Sequence, residues 1–289
     1  MKPAPFTYHD PTTVGELVSL LGSLEEAKLL AGGQSLMPML NFRLAQPDHL
    51  VDLNTVAGLD GIEATGTGLR VGAMVRQAAL MKSNKFAAGM PVMIEALQWV
   101  GHFQTRTRGT IGGSLTHLDP AAELPVIALL YDADLTVDGP NGSRNVSMRD
   151  WPIAYMTPNL SEDEVLTAIE FNSWKEPNGY AFEEFARRYG DFAIVAAGSL
   201  LAIKDGVITR AAVALAGAQP TPSRLDELEE ALVGQPAQPD TFKAAAQIAK
   251  RQEAMSDAYI DAGYRQRLAG VLTERALTKA AARALGEEG

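Results

Sequence analysis

Two glycine pairs carry the most suggestive chemistry in this 289-residue chain: Ala31-Gly32-Gly33-Gln34-Ser35, followed by Leu36, and Thr110-Ile111-Gly112-Gly113-Ser114. Paired glycines tolerate positive φ and let successive backbone N–H groups point into one concavity, which suits a phosphate approaching the main chain closely. Ser35 and Ser114 add hydroxyl donors. Two concavities would each neutralise one charge of a pyrophosphate without a lysine. Either pair alone reads equally well as a tight turn. Neither is a G-x-G-x-x-G or G-x-x-x-x-G-K-[ST] string, so a standard dinucleotide turn or nucleoside-triphosphate loop is not indicated. Arg106 and Arg108, just before the second pair, stand where they would assist an anion or simply lie in solvent. His117 reads as a local hydrogen-bonding residue.

Composition narrows the chemistry further. The chain has no cysteine, so disulfides, thiol nucleophiles, iron–sulfur ligation and cysteine zinc sites all drop out. Any redox chemistry must come from a bound organic cofactor. His9, His49, His102 and His117 form no H-x-x-x-H pair, and no metal site is expected. With 25 basic and 35 acidic residues, a net charge of −10 and no Lys/Arg block, nucleic acid is not an expected partner. The longest apolar run, 193–203, falls short of the roughly 20 residues a membrane-spanning helix needs. The N-terminus Met1-Lys2-Pro3-Ala4-Pro5 lacks a signal-peptide stretch, so the expected location is the cytoplasm.

Positioning such loops takes alternating elements. Helical spacing or strand composition predicts a helix over 13–21, a strand over 28–31, a helix over 36–44 and a strand over 49–53, so the first glycine pair joins a strand to a helix. A strand over 69–71 and helices over 77–82, 92–100 and 121–130 follow, the last begun by Asp119-Pro120 as cap and first residue. Strands are predicted over 182–188, 192–203 and 207–216, with an Asp205-Gly206 turn, then helices over 224–232, 241–250 and 264–285. Residues 1–176 carry 12 basic and 20 acidic groups and the remainder 13 and 15, and Pro177-Asn178-Gly179 marks a connector at that seam. We therefore expect a domain over 1–176, with subdomains of about 1–56 and 57–176, and a second over 177–289.

The chain resembles the FAD-binding medium subunit of the molybdenum hydroxylases, the carbon monoxide dehydrogenase and xanthine dehydrogenase family. The strings carrying the resemblance are Phe6-x-Tyr8-x-x-Pro11, Leu50-Val51-Asp52-Leu53, Arg106-x-Arg108-Gly109-Thr110-Ile111-Gly112-Gly113-Ser114-x-x-x-x-Asp119-Pro120 and Arg187-Arg188-x-Gly190-Asp191-Phe192-Ala193. It implies an α+β fold: a two-subdomain FAD-binding domain followed by a C-terminal antiparallel sheet with helices. It also implies that both glycine segments bind the pyrophosphate of a noncovalent FAD, that Asp119 and Glu123 lie near its ribityl and phosphate region, and that Leu166 and Phe192 bracket the isoalloxazine ring. Ser114 stands where many relatives have Asn, Phe192 where some have Tyr, and Glu184 where several have a Lys near the cofactor.

The function this implies is electron transfer inside a heteromeric hydroxylase, an oxidoreductase active only in complex. Molybdopterin and [2Fe–2S] clusters would reside in a large and a small partner subunit, the whole arranged as a dimer of heterotrimers, and no catalytic side chain would be needed here. Two other readings stay open: a self-contained FAD oxidase or reductase, and a nucleotide-binding module without catalysis. The substrate of the complex (carbon monoxide, an aldehyde, a purine or another N-heterocycle) and the final electron acceptor are not encoded in this chain.

Overall fold

The computed structural model describes residues 1–287; Glu288 and Gly289, the end of the expected C-terminal domain, lie outside the described residues. The chain begins with β1 (Thr7–His9), α1 (Val14–Leu21), β2 (Ala27–Leu30), α2 (Leu36–Asn41) and β3 (His49–Asp52). The three strands form a parallel sheet in the order β1-β3-β2. Thr13 caps α1, its side chain accepting from the Glu16 amide while Glu16 bonds back to the Thr13 N–H. That reciprocal pair fixes the helix start. Leu17 and Leu21 then bury against Val51, Leu53 and Val56.

A second unit contains β4 (Ile62–Ala64), β5 (Gly68–Gly72), α3 (Gln77–Met81), α4 (Asn84–Gly89), α5 (Pro91–Trp99), α6 (Phe103–Arg108), α7 (Ile111–His117), α8 (Glu123–Leu130), β6 (Asp134–Gly139), β7 (Gly142–Ser147), β8 (Pro152–Ala154), β9 (Thr157–Pro158) and β10 (Val165–Asn172). Its main sheet is antiparallel, in the order β4-β5-β10-β6-β7.

The third unit is an antiparallel sheet of β11 (Gly179–Phe185), β12 (Val195–Lys204), β13 (Val207–Ala216) and β14 (Ser223–Arg224), followed by α9 (Asp226–Leu232), α10 (Pro239–Lys250) and α11 (Ala262–Ala284). Its strands read as apolar runs because both faces are covered. Phe182, Ala196, Leu200, Ala212 and Ala214 join the core of the second unit, whereas Ala181, Ala197, Leu201, Val213 and Leu215 face the C-terminal helices. Every residue of α8 is buried, and a Cβ added to Gly198 of β12 would lie 2.8 Å from Leu130 and 2.9 Å from Val126. This helix-on-sheet contact, with the Glu95–Arg283 pair at 2.5 Å, joins the second unit to the third.

Several expectations change. The helix expected over 121–130 starts only at Glu123, because Asp119 closes a turn instead, its Oδ1 accepting from the Ala121 N–H at 2.8 Å. The strand expected over 182–188 begins at Gly179 and stops at Phe185, and its partner starts at Val195 rather than Phe192, leaving 186–194 as a loop. The second glycine pair lies within the first turn of α7 rather than in a loop. The helix over 36–44 ends at Asn41. The expected elements do not include β6, β7 and β10, although Asp134-Leu135-Thr136-Val137-Asp138 alternates polar and apolar residues as a half-buried strand does.

Candidate functional site

Leu30 of β2 pairs with Asp52 of β3 in the parallel sheet, so the first glycine segment and Asn54 leave the carboxyl edge together. Ligands of open α/β sheets gather at such edges. Gly33 has φ +72° and its carbonyl accepts the Met37 N–H at 3.0 Å. Among the described residues, the amides of Gly33, Gln34, Ser35 and Leu36 donate to no protein acceptor, and Ser35 makes no capping bond. They form the expected concavity of free donors.

The second segment is built differently. The Ile111 N–H bonds the Val75 carbonyl at 3.1 Å, the Gly112 N–H bonds the Ala73 carbonyl at 2.8 Å and the Ser114 N–H bonds the Thr110 carbonyl at 3.2 Å. The Gly113 N–H is capped by the Thr110 hydroxyl oxygen at 3.0 Å. The expectation of a second amide concavity is therefore not met: four successive donors are spent inside the protein. What this segment offers is clearance and the hydroxyl of Ser114, which is free of partners among the described residues. A Cβ on Gly113 would lie 3.4 Å from the Ala31 Cβ, so a side chain here would close the gap toward the first segment.

The two segments touch through backbone. A Cβ on Gly32 would lie 2.3 Å from the Arg108 carbonyl oxygen and 2.8 Å from the Gly109 Cα, and one on Gly112 2.6 Å from the Ala73 carbonyl oxygen. In each pair the first glycine is required by close packing and the second lines the space between the segments.

A polar chain that the sequence reading missed ties them together. Asp52 accepts from the Tyr8 hydroxyl at 2.6 Å and from the Asn54 N–H at 2.9 Å, and Asn54 Nδ2 bonds the Ala31 carbonyl at 3.1 Å. The Arg76 guanidinium completes it, donating to Asn54 Oδ1 and to the Arg108 carbonyl. The hydrogen bond to Asp52, ahead of burial, pushes the Tyr8 hydroxyl up to about 12. Burial, then the nearby Arg108 charge, lowers the Arg76 pKa against the opposing pull of Asp52, so an added anion would relieve this cation. Arg76 was legible only as one of many arginines, since the residues it bridges lie 22 and 32 positions away. Arg106, by contrast, is committed to the carbonyls of Val100 and Gly101 at 2.8 and 3.0 Å.

On the far side of α7, Asp119 and the buried Glu123 follow the second segment. Burial pushes the His117 imidazole below its ordinary range, with Asp119 opposing. Leu166 is 2 % exposed within the main core, beside an irregularity in β10 where the Thr167 carbonyl accepts the Ala73 N–H at 2.9 Å. Phe192 is the opposite case, 71 % exposed on the 186–194 loop. That loop is seated by Tyr189, whose hydroxyl bonds the Gln98 carbonyl at 2.7 Å, and by Gly190, where a Cβ would strike His102 at 2.6 Å. The residues present fit an FAD: free amides and a half-buried cation for its phosphates, and a gap that a Cβ would fill.

A family model described as the FAD binding domain in molybdopterin dehydrogenase matches residues 4–174, and one described as the CO dehydrogenase flavoprotein C-terminal domain matches residues 180–280. Fold and cleft are those of a two-domain FAD-binding flavoprotein. The carbon monoxide dehydrogenase medium chain of Hydrogenophaga pseudoflava is 35% identical over 98% of this chain and 99% of its own length. The 6-hydroxypseudooxynicotine dehydrogenase complex subunit alpha of Paenarthrobacter nicotinovorans is 36% identical over 98% and 97%. The solved carbon monoxide dehydrogenase from Hydrogenophaga pseudoflava superimposes with a TM-score of 0.95 at 36% identity, covering 98% of this chain and 99% of that one. Quinoline 2-oxidoreductase from Pseudomonas putida 86 gives 0.94 at 34% identity over 99% and 100%. The chain belongs to the FAD-binding medium-subunit family of the molybdenum hydroxylases.

Proposed function

We propose that this chain is the electron-transfer subunit of a cytoplasmic heteromeric hydroxylase, taking electrons from [2Fe–2S] clusters of a small subunit, themselves supplied by a molybdopterin large subunit, and passing them to an external acceptor. The assembly would be a dimer of heterotrimers. The observation that carries the reading is the meeting of the two glycine segments across the Gly32–Arg108 backbone contact, with the free amides of the first and the Arg76 cation beside that contact. No described helix is long and apolar enough to cross a membrane.

The bound flavin would supply the one- and two-electron chemistry. The division of roles within the chain follows from the geometry. The amides of Gly33, Gln34, Ser35 and Leu36 hold one phosphate, and Arg76 supplies positive charge from the opposite segment. Thr110, Ile111, Gly112, Gly113 and Ser114 form a wall that lies close because it lacks side-chain bulk, with Ala31 and Gly32 as its counterpart. Asp119 and Glu123 flank the ribityl side. Phe192, left in solvent by the chain itself, is available to cover the ring, while Leu166 supports it from the core. The domain division at 176/177 assigns cofactor binding to the first part and the ring-covering loop to the second.

The test is reconstitution. The purified chain with bound FAD, mixed anaerobically with its partner subunits and substrate, should lose its flavin absorbance, and should fail to do so with substrate alone. Bleaching by substrate with this chain alone would favour a self-contained oxidase; failure to bind FAD would favour a non-catalytic module.

A further inference from the structure

The seam between the second and third units holds an anomaly the cofactor reading does not use. Glu184 of β11 is 7 % exposed, and both of its carboxylate oxygens lack a hydrogen-bond partner among the described residues. It stands opposite Ala196 in the sheet, two residues after Phe182, and so points with Phe182 toward the second unit rather than toward the C-terminal helices. Across the seam lies Glu123, the first residue of α8 and itself 8 % exposed: the Gly217 N–H bonds the Pro120 carbonyl at 2.7 Å and Gly198 faces Val126, which sets the start of α8 over the Glu184–Ala196–Ala216 row of the sheet. An ionised carboxylate buried without a partner is among the costliest arrangements a core can hold, and it takes a proton instead.

The surroundings offer no cation to relieve it. From α5, Glu95 is committed to Arg283 and to the Phe182 N–H. From the turn before α8, Asp119 adds negative charge, and from α6 Arg106 opposes it but spends its hydrogen bonds on Val100 and Gly101. The neighbouring positions on β12 and β13, Ala196 and Ala216, are apolar, and Glu183 turns to the other face, to Lys279. No ion pair involves Glu123 or Glu184 among the described residues. Burial, ahead of the Glu123 charge, pushes the Glu184 carboxyl well above the carboxylate range. Burial also raises Glu123, with its own backbone N–H and Arg106 pulling back and Asp119 adding to the rise.

We propose that Glu123 and Glu184 form a proton-holding pair at the seam, which keeps one proton between two carboxylates at neutral pH and takes a second from solvent when the neighbouring cofactor cleft gains negative charge. The inference rests on the FAD reading for the source of that charge. The balance is simple: two molecules of an external one-electron donor are each oxidised by one electron, the FAD that would occupy the cleft would be reduced by both, and one solvent proton forms an O–H bond at the pair, offsetting a negative charge added in the cleft. When electrons leave, that bond breaks and the proton returns to solvent. No atom of the pair is consumed. The placement supports it: a short turn closed by Asp119 joins α7, which carries the second glycine segment, to Glu123 at the start of α8, and β11 runs directly into the 186–194 loop.

Two measurements on the full chain test this. Infrared spectra of the apo-protein at neutral pH should show a protonated-carboxyl band that loses most of its intensity in Glu184→Gln and persists at a shifted frequency in Glu123→Gln, where burial alone still holds the Glu184 proton; its absence from the unmodified chain, or an unshifted band in Glu123→Gln, would overturn the proposal. On the FAD-loaded chain, spectroelectrochemical midpoint potentials followed against pH should show one more proton taken up per two electrons in the unmodified chain than in Glu184→Gln. Equal slopes would overturn the coupling. The two readings separate cleanly: a chain that shows the carboxyl band but binds no flavin refutes the cofactor assignment, whereas a flavin-loaded chain without the band refutes the pair. Glu184→Gln keeps size and shape, so its folding is not in question.

Discussion

Replacing Gly32 with alanine is the sharpest perturbation of the proposed site. Gly32 has no positive φ that would itself penalise a side chain, so the effect is steric. The added methyl would lie 2.3 Å from the Arg108 carbonyl oxygen, where ordinary contact begins at 3.4 Å, so the segments must part by 3.4 − 2.3, or about 1 Å. The obstacle is backbone, anchored by the Gly109 carbonyl accepting from the Gln77 N–H at 2.9 Å and by Arg76 on the Arg108 carbonyl, and it cannot swing aside as a flexible side chain would. Overpacking of this kind costs about 1–3 kcal/mol, which for a protein this large lowers the melting temperature by roughly 2–4 °C per kcal/mol. The loss of FAD should be larger. A shift of about 1 Å misaligns charge-assisted hydrogen bonds worth about 1.5–3 kcal/mol each, and losing one or two weakens binding by about 100-fold. Differential scanning fluorimetry of the apo-protein and flavin fluorescence titration measure the two effects separately. A Gly32→Ala chain with unchanged FAD affinity would refute the claim that the two segments form one cradle.

Gly113→Ala should lower both folding and binding: the added methyl would lie 2.8 Å from the Thr110 hydroxyl oxygen that caps α7, so the apo-protein melts slightly lower, while FAD affinity falls in equilibrium dialysis because the methyl enters the gap toward Ala31. Arg76→Met should weaken FAD about 10-fold, close to 1.4 kcal/mol for one partly exposed cation, and the loss should shrink as salt is raised in the same titration. Acid precipitation should release all flavin into the supernatant, because there is no cysteine to attach it. The Glu123–Glu184 pair fixes a pH dependence: its proton stays on in the native state after the unfolded chain has released it, so the stability it permits is full below the ordinary glutamate range near 4.3 and is lost as pH rises toward the raised native value. Urea denaturation should therefore show Glu184→Gln gaining on the unmodified chain by up to about 1.4 kcal/mol per pH unit over that interval, and no gain at all would contradict the burial argument.

The sequence by itself determined much of this protein. Zero cysteines excluded cluster ligation, the strand–glycine pair–helix order at 28–36 marked the first concavity, and the apolar runs over 192–203 and 207–216 marked two strands joined by a tight turn. These are local signals, carried by residue type and short spacing. What the tertiary structure decided is which groups remain free. The second glycine pair looked like the first, yet its amides are spent on Ala73, Val75 and Thr110, partners brought there by a bridge between Arg76 and Thr110 that no local pattern announces. Arg76 became a site residue only because Asn54, just after β3, and Arg108, at the end of α6, converge on it from opposite sides. The resemblance marks Glu184 only as an anion where several relatives have a Lys, and it is the packing of α8 against β12 and β13 that buries it beside Glu123. Hydrogen-bond satisfaction and desolvation depend on what lies across the fold, 30 to 100 residues away in the chain, and a one-dimensional pattern holds no record of that distance.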